Sequence, residues 1–144
     1  MTVTAHWYGQ GLSTALAGGN IPANTLKVML TTSSYTPNQA TDTYASTPGA
    51  FEITGTGYTA GGVALSSMTV ANSSNIWTLS AANTSWPTAT FNTAYGIIYN
   101  TSIGSTYSNY PLVGFVNFGG TQSPVGVTFS INWAGGVVLQ LTAS

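Results

Sequence analysis

The chain has almost no charge. Of its 144 residues, Lys27 is the only cation, Asp42 and Glu52 are the only acids, and His6 is the only histidine. Charged side chains make up 2% of the chain, against about 25% in an ordinary soluble domain. Neutralising nucleic-acid phosphates takes several Lys or Arg, so no DNA or RNA partner is expected. The same shortage removes attraction to an anionic membrane surface. General acid–base catalysis needs titratable groups gathered in one site, and few exist here beyond the tyrosines. A net charge of −1 gives copies of the chain little mutual repulsion, which favours association.

Cysteine is also missing, so disulfides and thiolate metal sites are impossible. No apolar run is long enough to cross a bilayer as a helix. The first residues, MTVTAHWYGQGLSTALAGG, lack the basic start and long apolar stretch of a signal peptide. Asn72, Asn83 and Asn100 stand in N-x-S/T sequons, which chance supplies in a chain this rich in Asn, Ser and Thr.

What is present is apolar and aromatic. Residues of apolar type make up 43%, enough for one domain, 1–144, with a hydrophobic core. Residues 1–19 read as an N-terminal helix or arm. Within them AHWYGQGLSTALA, 5–17, predicts a helix with Trp7, Tyr8, Leu12 and Leu16 on one face, stopped by Gly18 and Gly19. Gly9 and Gly11 weaken it by about 1 kcal/mol each relative to alanine.

Beyond that the pattern has period two. Strands are predicted at 25–31, 51–54, 63–70, 76–80, 95–100, 112–118, 125–133 and 137–142. The clearest alternation is Val125, Val127, Phe129, Ile131, Trp133. Turn-forming clusters separate the runs and no helix intervenes. The fold class expected is all-β, an antiparallel sandwich or barrel of about eight short strands with a short N-terminal helix. Residues 33–50 are polar, carry two prolines and read as a long loop.

The stretch GTGYTAGG, 55–62, satisfies the looser dinucleotide fingerprint G-x-G-x-x-A in its first six letters. Its context fails: a predicted strand follows rather than a helix, and no acid stands about twenty residues on. A phosphate loop would need lysine after its last glycine, and Val63 is there. The glycines read instead as a tight link between strands, with Tyr58 as a packing anchor. His6, Asp42 and Glu52 have the right types for a metal triad, but their spacing gives no paired motif. No G-x-S-x-G elbow is present, and a glycosidase pair needs a defined separation and a sugar cleft, so Asp42 and Glu52, two acids near one loop, read instead as solvated or paired with Lys27. No catalytic residue, cofactor or metal is assigned.

The seventeen aromatic rings are the better candidates for contact. Trp77, Phe129 and Trp133 lie on alternating strands and read as core. Trp7, Tyr8, Tyr35, Tyr44, Tyr58, Tyr107 and Tyr110 are the interface candidates; the loop tyrosines among them could stack on sugars or anchor a protein contact.

Several segments in order resemble a family of small virion proteins of tailed bacteriophages, over about residues 7–142. They are TLKVMLTTSSYTPNQATDTY, EITGTGYTAGGVALSSMTV, SWPTATF, YGIIYN, PLVGFVNFGGTQS and FSINWAGGVVLQL. The family pattern runs K-V-x-L-x-T-x-x-Y-x-P, G-x-G-Y-x-x-G-G, then P-L-x-G-x-V-x-F-G. It corresponds here to Lys27 through Pro37, Gly55 through Gly62, and Pro111 through Gly119. The resemblance implies a structural role without enzymatic activity: a head decoration (cement) protein, or a minor head or tail component. Relatives carry acids before the tryptophan and after the valine of the last motif. Here Asn83-Thr84-Ser85 precede Trp86, and Asn117 takes the second place, so an ion-dependent interface there is in doubt.

The expectation is thus a capsid decoration protein, trimeric, bound to the major capsid protein and located in the virion after assembly in the host cytoplasm. The alternatives are a tail, baseplate or fibre component, and a carbohydrate-binding module.

Overall fold

A computed structural model describes residues 1–16 and 20–142. Among these, eleven strands and two short α-helices follow in order: β1 Thr2–Val3, β2 Ala5–Trp7, α1 Gly9–Leu16, β3 Leu26–Thr31, α2 Ser46–Gly49, β4 Val63–Ala64, β5 Thr69–Ser73, β6 Ile76–Ser80, β7 Thr84–Thr90, β8 Thr93–Asn100, β9 Leu112–Gln122, β10 Val125–Trp133 and β11 Val137–Thr142. The fold is mostly β, with a short N-terminal helix and several antiparallel sheets in a sandwich-like arrangement.

A five-stranded sheet, ordered β2-β9-β8-β3-β4, is antiparallel throughout. Two three-stranded sheets, β1-β10-β7 and β11-β6-β5, complete the architecture. Alternation along each strand explains how they pack. From β3, Leu26, Val28 and Leu30 join Ile98 and Val116 in the main core. There they meet Trp86, Phe129, Ile131 and Trp133 from one small sheet, and Leu79, Val138 and Leu139 from the other. Phe129 is the hub of the aromatic packing, with Trp86, Phe91 and Phe118 rings 5.5–5.8 Å away.

The other face of the five-stranded sheet is covered as well. Met29, Ile97, Tyr99 and Leu112 form a second cluster with Tyr8, Tyr35 and Ala45. Residues 33–50 therefore lie across the sheet. Tyr35, Ala45 and Pro48 are buried, and α2 forms within the segment. Their few apolar side chains are spent on this lid, which is why they show no alternation.

The N-terminal segment differs from its expected form. Residues 5–7 pair with β9 as a strand, Ala5 opposite Val116 and Trp7 opposite Gly114. The helix begins only at Gly9, so Trp7 and Tyr8 precede it. The side chain of Leu16 and the stop at Gly18 and Gly19 lie outside the described residues. Gly11 has a packing reason: a Cβ there would fall on the Val113 carbonyl oxygen of β9. Missing side-chain bulk lets α1 lie flush on the sheet.

Two further strand expectations change. Residues 63–70 divide between β4 and β5, which belong to different sheets, with Ser67 at φ 53° between them. Residues 51–54 form no strand, only a bridge from Glu52 to Thr31. Strand β7 was not expected, since Pro87 interrupts its pattern. Proline is tolerated because β7 is an edge of its sheet.

Candidate interaction surfaces

The three charged side chains are placed by the five-stranded sheet and the loops that cover its second face. Glu52 sits at the end of the lid segment. Its Oε1 accepts from the Tyr58 hydroxyl at 2.6 Å and the Gly61 amide at 2.6 Å, and its Oε2 from the Tyr107 hydroxyl at 2.8 Å. Tyr58 in turn accepts from the Leu30 amide of β3 at 3.1 Å, and Tyr99 donates to the Gly61 carbonyl at 2.7 Å. One carboxylate thereby ties the glycine-rich stretch, strand β3 and the loop at 101–110 together.

That stretch holds its course through backbone geometry. Gly55, Gly57, Gly61 and Gly62 all have positive φ. Gly62 is the most constrained: φ is 70°, and a Cβ would collide with the Val28 carbonyl of β3. Thr56 bridges to Thr90 of β7, and Tyr58 packs against Phe91, ring centres 6.1 Å apart.

Asp42 has a separate network. It accepts from the Tyr35 hydroxyl at 2.7 Å and the Asn38 amide at 2.9 Å. Since Tyr35 gives its proton to Asp42, Tyr8 must be the donor in the 2.7 Å bond between the two phenols. Burial pushes the hydroxyls of Tyr8, Tyr35, Tyr58 and Tyr107 well above the ordinary phenol range. The neighbouring Tyr8 hydroxyl and the Asp42 carboxylate add to this at Tyr35, and Glu52 adds to it at Tyr58 and Tyr107. Burial also pushes Tyr99 up to about 12. Each of these hydroxyls donates within the fold: Tyr8 to Tyr35, Tyr35 to Asp42, Tyr58 and Tyr107 to Glu52, and Tyr99 to the Gly61 carbonyl. His6 lies apart, exposed and leaning on the Phe115 ring at 5.3 Å. Among the described residues no group of three His, Asp or Glu is close enough to share a metal ion.

The interface candidates divide accordingly. Tyr8 and Tyr35 are buried, which corrects their expected place at a surface: their rings fill the second cluster and their hydroxyls satisfy each other. Tyr58 and Tyr107 are half-buried with hydroxyls committed to Glu52. Tyr110 is half-buried against Tyr99, ring centres 5.9 Å apart. Tyr44 alone of the loop tyrosines is exposed, at 41%. Trp7 is half-buried, its indole N–H donating to the Gln140 carbonyl at 2.8 Å.

Trp7 belongs to a feature the sequence did not announce. An apolar groove of about 420 Å³ opens between β2, α1 and the β11-β6-β5 sheet, lined chiefly by Trp7, Leu12, Ile21, Trp77, Leu79 and Leu141. Trp77, expected in the core, is 50% exposed on its wall. It shares a sheet face with buried Leu79, but it stands one residue from the 74–75 turn, where cover runs out. A second apolar feature is the start of β10. Val125 and Val127 are 75% and 54% exposed, although the same alternation buries Phe129, Ile131 and Trp133. Register shifts flank Val127 where β10 meets β7, and residues 125–128 are all exposed. The proximity of both features to turns was the available signal.

No protein-family model, curated protein or solved structure matches the chain.

Proposed function

We propose that the chain is a structural virion protein of a tailed bacteriophage: a capsid decoration protein, trimeric, that clamps neighbouring major-capsid subunits. What supports this most directly is the character of the surface. The two carboxylates are engaged by hydroxyls and amides of their own fold, while Trp77, Val125 and Val127 face outward. Such a surface binds by apolar burial and neutral hydrogen bonds. The order of segments resembling small phage virion proteins supports the same reading. No bond is made or broken in the proposed role.

The mechanism is additive clamping. Each Å² of apolar surface removed from water contributes about 25 cal/mol. Several hundred Å² per contact, repeated over a shell, opposes internal genome pressure even after ordering costs are subtracted. A whole-particle reconstruction tests it. Decoration requires hundreds of copies on the outer face of the head; absence from the head surface rejects the proposal. A few copies at the tail tip would assign the chain to a tail, baseplate or fibre component instead.

A further inference from the structure

Every copy of this chain carries two apolar surface features of opposite shape. One is the groove walled by Trp7 and Trp77. The other is the start of β10, where Val125 and Val127 stand two residues apart in solvent. We infer that these features are partners: the Val125–Val127 end of one copy seats in the Trp7–Trp77 groove of a second copy.

Four observations carry the assignment. None of the three charged side chains lines the groove, so its occupant must be uncharged and apolar. A groove of about 420 Å³ has room for several aliphatic side chains, and Val125 is more exposed than any other large apolar residue described. The valine end is also free to enter: a Cβ at Gly119, Gly120 or Gly126 would meet nothing within 4 Å among the described residues. Finally, the groove has an edge that can accept a strand. Strand β5, which supplies Val70 to the lining, is the last strand of its sheet, and all five of its residues are exposed. Its sequence, TVANS, lacks the lysine or proline that blunts an edge. The β10 end, irregular at Gly126 (φ 65°) with its register toward β7 shifted on both sides of Val127, can offer backbone groups to β5 while its valines turn into the groove.

Groove and valine end are different patches of one chain, so the contact is heterologous, head to tail. Repetition closes into a ring when the rotation between copies allows it. A ring of this kind suits the trimer in the proposed function and deepens that reading, but its test uses purified protein alone. Particle localisation can therefore fail while this contact stands, and the reverse.

The test is sedimentation of the full chain from micromolar to millimolar concentration, with two kinds of variant. V125S/V127S removes the insert; W77S removes a groove wall, with V70S as a second groove variant should W77S lose its native circular dichroism. The wild type is expected to self-associate with rising concentration. Each variant should associate at least about tenfold more weakly, since burial of even one valine is worth that factor. Mixing the insert variant with a groove variant at equal concentrations should restore pairing, stopped at a heterodimer, because one intact insert and one intact groove remain. A wild type that stays monomeric, variants that associate like the wild type, or a mixture that fails to pair would each overturn the inference.

Discussion

At the scale of single residues, Glu52 does more than its exposure suggests. Three donors converge on its carboxylate: the Gly61 amide, the Tyr107 phenol on the second face of the sheet, and the Tyr58 phenol, whose ring packs against the main core. Removing the acceptor strands all three, and each hydrogen bond to a charged group is worth about 1.5–3 kcal/mol. Glu52→Ala is expected to lower unfolding stability by about 3 kcal/mol, and Glu52→Gln by roughly half of that, since the amide keeps one acceptor oxygen. Urea titration measures both; an alanine variant within about 0.5 kcal/mol of the wild type would contradict the role. The phenols make a separate statement about alkaline pH. Tyr8, Tyr35 and Tyr99 are buried and their hydroxyls are held above the ordinary value of 10. The folded state therefore keeps protons that the unfolded chain releases above about pH 10. Their contribution is complete below that pH and is lost as pH rises through the folded values, by up to about 1.4 kcal/mol per unit for each phenol. Stability measured from pH 8 to 12 should be level at first and then fall steeply; a level profile to pH 12 would remove the buried donors from the account.

At the scale of elements, helix propensity and packing disagree at Gly11, and packing should win. Alanine there would favour an isolated helix by about 1 kcal/mol. In this fold its Cβ would meet the Val113 carbonyl of β9, and forcing α1 off the sheet costs about 1–3 kcal/mol. Gly11→Ala is thus expected to lower the melting temperature, and a rise would show that α1 is free to lift. Sequence periodicity had limits of the same kind. It located strands such as β3, β6, β8 and β11 to within two residues of their ends. It could not see a chain changing sheets: Val63–Ala64 pair with β3 while Thr69–Ser73 pair with β6, yet the letters run on as one alternation. Strands β1 and β2 have two and three residues, too short to show a period, and Pro87 hid an edge strand. The segment 33–50 reads as a break in the pattern; it holds α2, and its role as a lid rests on the burial of Tyr35, Ala45 and Pro48.

At the scale of the whole molecule, the surface candidates were legible by residue type and not by position. Aromatic content pointed to rings, and the loop tyrosines stood out because their neighbours are polar. Polar neighbours did not keep Tyr35 at the surface, since Tyr8 and Asp42 satisfy its hydroxyl inside. Trp77, Val125 and Val127 follow core alternation and are exposed because their strands outrun the layer that covers them, which no local pattern encodes. The surface that results makes one global prediction. With Lys27, Asp42 and Glu52 as the only charged side chains, long-range screening has almost nothing to act on. Unfolding stability should change by less than about 0.5 kcal/mol between 0.05 and 1 M sodium chloride, within the range of a single surface pair. Sodium sulfate should behave differently. It is excluded from protein surface and so strengthens apolar burial, raising both stability and self-association. Urea melts and sedimentation in the two salts separate these effects. A strong sodium chloride dependence would mean that charge, through Lys27 and its neighbours, contributes to assembly that is here assigned to apolar contact.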